Sequence, residues 1–239
     1  MNVLVTGGSR GTGRAVALAF GAAGHRVAVA YEKDAAGARA AAEALRQAGG
    51  QAEVFQADVS DRDAARGLVD AVAGKFGRLD VLVNNAGVSR DRTILKTTED
   101  DWRRVIDVNL NGAFWVLQAA AKAMAAQKDG SILNMASIMA VRGGFGCAAY
   151  AAAKAGLVAL TKSAAREMGR FNVRVNAFLP GYHPTDMNSG FAPEHVEKIK
   201  AEHTLGRLTD MDEMARFAVH VAGLASVSGQ VFAFESRVL

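Results

Sequence analysis

Tyr150 and Lys154 stand four residues apart, and Ser137 lies thirteen residues before the tyrosine. On a helix, positions i and i+4 share a face, so a phenol and an ammonium group so spaced can address one point. A cation beside a phenol favours the phenolate and draws down a pKa that is otherwise about 10. The spacing therefore predicts a tyrosine able to hand a proton to a carbonyl oxygen, or take one from an alcohol, near neutral pH. Tyr-x-x-x-Lys alone is weak evidence. Its meaning depends on the elements that position it.

The start of the chain supplies a second signal. Asn2-Val3-Leu4-Val5-Thr6 is a short apolar run that reads as a buried parallel strand. It runs into Thr6-Gly7-Gly8-Ser9-Arg10-Gly11-Thr12-Gly13 and then a helical stretch from Arg14 to Ala23. Glycines let the backbone approach a pyrophosphate closely, and the free N–H groups of a first helical turn bind its charge. The strand before and the helix after are the context that makes this a nucleotide cradle rather than an ordinary turn. Its spacing is T-G-x-x-x-G-x-G, distinct from the G-x-G-x-x-G of ordinary dehydrogenases.

Further along, apolar runs alternate with helical stretches. Strands are predicted at 2–6, 26–31, 52–57, 79–84, 130–135, 173–178 and 229–234. Helices are predicted near 12–23, 35–48, 61–76, 99–127, 149–169 and 211–224. Such alternation argues for an α/β chain with a parallel sheet covered on both faces. In sheets of this kind ligands bind outside the carboxyl ends of the strands. Gly7 to Gly13, Asp58, Asn84 to Gly87, Ser137 and Pro180-Gly181 each follow a predicted strand, so five strand ends converge on one edge.

Composition bounds the alternatives. The 239 residues suit one domain spanning 1–239, and 50% hydrophobic residues with 3 Pro leave little room for long disordered linkers. No apolar run reaches the length of a membrane span, and the strand pattern begins too early for a signal peptide to precede it. Cys147 is the only cysteine. It reads as a small packing residue, excludes an internal disulfide and fits a reducing cytoplasm. The 28 basic residues are interleaved with 24 acidic ones, giving a net charge of +4. That pattern suits acidic small ligands or an acidic partner, and nucleic acid is set aside.

Gly7, Gly11 and Gly13, then Asn84-Asn85-Ala86-Gly87, Asn109, Ser137, Tyr150 and Lys154, resemble the short-chain dehydrogenase/reductase family in order and spacing, over residues 2 to 187. Gly87-Val88-Ser89-Arg90-Asp91 and the segment from Trp102 to Phe114 look most like 3-oxoacyl-(acyl carrier protein) and acetoacetyl-CoA reductases. The resemblance implies a Rossmann-type, doubly wound sheet of about seven strands. It also implies a role in fatty acid synthesis, a homo-oligomer (tetramer or dimer), and an acyl thioester substrate presented by an acyl carrier protein or CoA. The small residues Ala148, Ala149, Ala151, Ala152, Ala153, Ala155 and Gly156 permit close approach of the helix they start.

Within that resemblance Tyr150 is the general acid for reduction. Lys154 lowers its pKa and holds the nicotinamide ribose, while Ser137 donates a hydrogen bond to the substrate carbonyl. Asn109 helps bind a water linking the lysine to solvent. Ser9, Arg10 and Thr12 belong to the phosphate turn with its glycines. Asp58 and Val59 match the position at the adenine ring, although Asp58 also reads as an ordinary helix cap, as do Ser60 and Asp61. Asn85, Ala86 and Gly87 are expected both to brace the central strands and to contact cofactor. Lys128 and Arg170 are candidate carrier-protein contacts or ordinary solvated charges.

Cofactor choice turns on residues 30–34. An NAD enzyme ends its second strand with an acid that accepts the adenosine ribose hydroxyls. Tyr31 stands there instead. Glu32, one position on, keeps NAD open, but Arg10 and Lys33 can neutralise a 2′-phosphate, and NADP (as NADPH) is the expected cofactor.

The chain departs from the family twice. Pro180-Gly181-Tyr182-His183-Pro184-Thr185 places a histidine where an aliphatic residue usually holds the nicotinamide carboxamide, and Pro184 lacks a donor. His183 is either a substrate contact or a solvated loop residue, and Thr185 remains for the carboxamide or pyrophosphate. The C-terminus reads Phe232-Ala233-Phe234-Glu235-Ser236-Arg237 in place of Val-Asp-Gly-Gly. Residues 186–208, punctuated by Gly190, Pro193 and Gly206, read as a mobile lid over the substrate. Other small ketones, alcohols or sugars are the alternative substrates, and a non-catalytic NADP-binding module the alternative class.

Overall fold

The computed structural model describes residues 1–185 and 192–238. Seven strands form one sheet: β1 (Asn2–Val5), β2 (Arg26–Tyr31), β3 (Gln51–Gln56), β4 (Val81–Asn84), β5 (Gly130–Met135), β6 (Val173–Leu179) and β7 (Val231–Ala233). The order is β3-β2-β1-β4-β5-β6-β7 and every neighbouring pair is parallel. All seven strands stand where the apolar runs placed them, within a residue or two at each end.

Strand residues alternate between two cores, as the period of two requires. Val3, Val5, Val27, Val29, Val81 and Val83 face one side, where α1 (Gly11–Ala22), α2 (Ala35–Gln47) and α9 (Met211–Gly223) pack. Leu4, Ala28, Leu82, Ile132 and Val175 face the other, against α3 (Arg62–Phe76), α5 (Ala113–Gln127) and α7 (Ala148–Met168). In α2 the buried residues Ala38, Ala41, Ala42 and Leu45 follow helical spacing, so one stripe meets the sheet. The chain finishes one half at β3, on one edge, and returns to β4 on the far side of β1. That reversal opens a crevice beyond the carboxyl ends of β1 and β4.

Three stretches differ from the sequence expectation. The long helix at 99–127 is α4 (Glu99–Ile106), a wide π turn over Asp107–Gly112 and then α5. Thr98 starts α4, accepting from the Asp101 amide at 3.1 Å in a capping box. A four-residue helix, α6 (Met139–Arg142), follows Ser137, where no helix was expected. The region expected to be a loose lid holds α8 (Pro193–Glu202), with Pro193 at its first turn. Gly190, Asp186 and Met187 lie outside the described residues.

Candidate active site

The end of β1 and the end of β4 are stitched together before any ligand is considered. The Thr6 hydroxyl accepts from the Asn85 and Ala86 amides at 2.9 and 3.0 Å, and the Asn85 side chain donates to the Thr6 and Gly7 carbonyls at 2.9 and 3.2 Å. This clamp leaves no room for a side chain at residue 13, where a Cβ would collide with the Gly7 carbonyl and the Asn85 amide. Gly13 therefore lets α1 begin hard against the turn. At the cap position Arg10 offers no acceptor to the first amides of α1. Those amides and the bare glycine surface are the donor set an acidic phosphate group needs, so the turn fits a dinucleotide.

Two cavities meet at this turn. One, of about 390 Å³, is lined by Ser9, Tyr31, Glu32, Lys33, Asp58 and Val59 among others and suits an adenosine. The other, of about 1020 Å³, runs from Gly11, Thr12 and Gly13 past Ser137, Tyr150 and Lys154 to Pro180, Gly181, His183 and Thr185. Gly7, Arg10, Ala86 and Gly87 line both. Thr185 reaches the glycine turn from the opposite wall, within van der Waals contact of the space over Gly11.

In the larger cavity, β5 delivers Ser137 two residues beyond its end and α7 delivers Tyr150 and Lys154 from one face. The Ser137 hydroxyl accepts from the Met139 amide at 3.2 Å and stands near enough to the Tyr150 phenol to draw its pKa down. Lys154 is 3% exposed, and its Nζ donates to the Met135 carbonyl at 2.6 Å. Burial pushes Tyr150 up to about 12 against the pull of Ser137, with the charge of Asp91 adding to the rise. Burial likewise brings Lys154 down to about 8. The expected lowering of the tyrosine is not what the structure gives. Nζ lies 5.7 Å from the phenol ring centroid and is engaged elsewhere, so loss of water outweighs the cation. A phenol held neutral is a proton donor.

Asn109 sits in the π turn, fully buried, with its Oδ1 and Nδ2 each 2.8 Å from the backbone of Val88. A π turn inside a helix often marks a functional position. Here the side chain fixes the strand-end segment from behind and is not part of either cavity wall. Gly87 lies between it and Lys154, since a Cβ there would stand 3.1 Å from Asn109 Oδ1 and 3.7 Å from Lys154 Nζ. Asn84 braces the centre of the sheet, donating to Ala113 and to Asn134.

At the adenosine end Asp61, not Asp58, caps α3, accepting from Ala64 at 2.7 Å. Asp58 instead accepts from the amide and hydroxyl of Ser60 and stays in the cavity wall. Burial alone would raise it, but those bonds and the Arg104 guanidinium hold its carboxyl below the usual range. Arg104 was not anticipated. It reaches across from α4 to Glu32, with Nη2 3.1 Å from both carboxylate oxygens, while Lys33, 84% exposed, lies 3.2 Å from the same group.

His183 is 5% exposed, which rules out a solvated loop residue. Its Nε2 lies 2.8 Å from the Pro180 carbonyl, an atom that only accepts, so this nitrogen carries the proton. Burial lowers its pKa. Gly181 has φ +86°, and a Cβ there would run into Thr209 and the Phe234 carbonyl of the unusual C-terminus. That C-terminus also brings Arg237 into the cavity wall, with Nη1 3.9 Å from Glu202 of α8; Arg142 of α6 binds the same carboxylate oxygen at 2.9 Å. Cys147 lines the cavity rather than the core, its thiol raised by burial and by Asp91. Lys128 and Arg170 precede β5 and β6, on the sheet edge opposite the site, so neither is a contact near it.

The sequence profile described as short chain dehydrogenase matches residues 1–195. The 3-oxoacyl-(acyl-carrier-protein) reductase of Staphylococcus aureus is 38% identical over 221 residues, covering 92% of this chain and 90% of that protein. The protein of that name from Synechocystis is 39% identical over 229 residues, 96% of this chain and 93% of its own. Among solved structures, a putative short-chain alcohol dehydrogenase from Sinorhizobium meliloti superposes with a TM-score of 0.93 at 32% identity, over 98% of this chain and 94% of its own. An NAD+-bound xylitol dehydrogenase superposes at 0.92 and 30% identity, over 98% and 97%. Among the described residues no helix is long and apolar enough to cross a membrane.

Proposed function

The chain belongs to the short-chain dehydrogenase family, and from that premise we propose that it reduces 3-oxoacyl thioesters, carried by acyl carrier protein or CoA, to the 3-hydroxy product with NADPH. The observation that carries this reading is the meeting of Ser137, Tyr150 and Lys154 in one cavity with the glycine turn. A reduced nicotinamide, when bound, supplies the hydride. The rest falls to side chains. Ser137 directs a hydroxyl at the carbonyl oxygen where negative charge develops. Tyr150, neutral at physiological pH, gives that oxygen its proton. Lys154, beside it, stabilises the phenolate left behind and holds the cofactor ribose, and Asn109 positions the Val88 backbone. The likeness to reductases of that name in two organisms supports the substrate class.

A second reading, reduction or oxidation of a small polyhydroxylated substrate, draws on the polar far wall of the cavity, where Glu202, Arg237 and His183 gather. The xylitol dehydrogenase likeness favours it too. A non-catalytic binding module has no use for a desolvated lysine, which costs stability at neutral pH. We further propose a cytoplasmic homo-oligomer. A rate panel crossing NADPH and NADH with acetoacetyl-CoA, free ketones and sugars tests the proposal. It stands if NADPH with the thioester is the fastest pair, and fails if a sugar or NADH outpaces it.

A further inference from the structure

Glu32 lines the adenosine cavity just past the end of β2, where a carboxylate is suited to accept the two ribose hydroxyls of NAD. It is not free to do so. Arg104 Nη2 stands 3.1 Å from both of its oxygens, and Lys33 Nζ lies 3.2 Å from one. Arg104 is also held from the other side, by the Ser60 hydroxyl at 3.3 Å and Asp58 at 3.6 Å. One guanidinium from α4 thus ties together the ends of β2 and β3, the two strands whose loops wall the cavity. Its position is fixed by α4, whose capping box and Arg92–Asp101 contact anchor the helix.

We propose that Arg104 is a positioning residue for cofactor selectivity: by holding and neutralising Glu32 it turns the NAD-type acid of this chain into part of an NADP-type pocket. The inference rests on the cofactor reading above and adds to it a residue that lines neither cavity and acts from behind the wall. The physical reason is charge and lone pairs together. A bare carboxylate at this rim repels a 2′-phosphate of about two negative charges and welcomes a diol. With Arg104 on it, both oxygens are occupied, and Arg104 and Lys33 offset the charges of Glu32 and Asp58. A half-buried ion pair of this kind, reached by solvent, adds modestly to stability. Its effect lies in where it keeps the carboxylate.

The experiment measures dissociation constants of NADP+ and NAD+ for the full chain by calorimetric titration, without turnover. Arg104→Met should lower the NADP+/NAD+ affinity ratio about tenfold, because one cation is lost and Glu32 is released. Simple loss of a positive charge has the same sign, so the double variant Arg104→Met/Glu32→Gln decides. If Arg104 acts through Glu32, removing the acid restores the ratio to the wild-type value or above. A ratio within twofold of wild type in Arg104→Met, or a double variant as low as the single one, overturns the proposal. Should Arg104→Met not fold, Arg104→Gln takes its place in the single and the double variant, and the same two outcomes overturn the proposal. Wild-type protein that binds NAD+ more tightly would refute the cofactor reading; the coupling is still judged by the change in ratio.

Discussion

Lys154 and Tyr150 share one face of α7, yet the lysine Nζ lies 5.7 Å from the phenol ring centroid and gives its short hydrogen bond to the Met135 carbonyl. Both groups are drawn toward their neutral forms, the phenol up to about 12 and the amine down to about 8. Reduction needs a protonated donor, and this arrangement keeps one available throughout the physiological range. Oxidation, which needs the phenolate, is the harder direction for the same geometry.

Tyr150→Phe keeps the ring and its packing and removes the proposed proton donor. General acid catalysis contributes ~10²–10⁴-fold, so kcat for reduction should fall at least about a hundredfold while NADPH still binds. Turnover above a tenth of wild type in stopped-flow assays would remove Tyr150 from the role.

The pH dependence of kcat/KM for NADPH reports ionisations of the free enzyme. Efficiency should be full below pH 8 and fall as pH rises through about 8, where Lys154 loses its charge. Lys154→Arg should carry that limb beyond the range of the assay, because a guanidinium stays charged. A limb that stays at the same pH in the arginine variant belongs to another group.

Burial of Lys154 also has a stability signature. Its pKa is lower folded, about 8, than the ordinary 10.5, so the unfolded chain binds more protons between those values. Unfolding free energy should therefore rise with pH across roughly 8 to 10.5, by about 3 kcal/mol at most. Tyr150, shifted the other way, takes stability back above pH 10. Urea melts of wild type and Lys154→Met at pH 7.5 and 10 separate the two, since only the wild type should show the rise. Equal slopes would mean the lysine is solvated in the folded protein.

The strands, the glycine turn and the convergence of Ser137, Tyr150 and Lys154 were legible because each rests on local pattern: period two, a strand–turn–helix, an i, i+4 pair. What the pattern could not carry was solvent. The i, i+4 spacing says which side chains share a face, but not that burial overrides a neighbouring cation at Tyr150. His183 illustrates the same gap. It reads as a loop residue until Thr209 and Phe234, hydrogen-bonded at 3.1 Å, enclose the turn that bears it. Arg104 and Glu32 are 72 residues apart and meet only when α4 crosses the ends of β2 and β3. The π turn at Asn109 falls on weak helix formers, Asp107, Val108, Asn109, Asn111 and Gly112, but propensity alone does not tell a widened turn from a helix end.

Cofactor preference follows from the same pair. With Tyr31 at the acid position and Glu32 held by Arg104 and Lys33, kcat/KM for NADPH should exceed that for NADH. A charge-assisted phosphate contact is worth ~1.5–3 kcal/mol, so the ratio should be tenfold or more. Equal efficiencies in steady-state assays would make Glu32 the ribose acceptor.

The proposed substrate class is tested at the far wall of the larger cavity. Acetoacetyl-CoA, or its carrier-bound form, should be reduced faster than a truncated thioester, and that in turn faster than the free ketone. In the proposed reaction the pantetheine arm would bind away from the reacting carbon, and its binding energy would be spent on aligning the ketone with Ser137 and Tyr150. Truncation should therefore lower kcat as well as raise KM. His183, buried against Pro180, and Arg237, brought in by the C-terminus beside Glu202, line the larger cavity where the proposed acyl group would lie. Replacing Arg237 with Met should change the ranking of acyl substrates more than it changes NADPH affinity. If a cyclic ketone or sugar outruns every 3-oxoacyl thioester at matched concentration, the thioester assignment falls, and the polar wall built by Arg237, Glu202 and His183 becomes the place where a hydroxylated substrate is read.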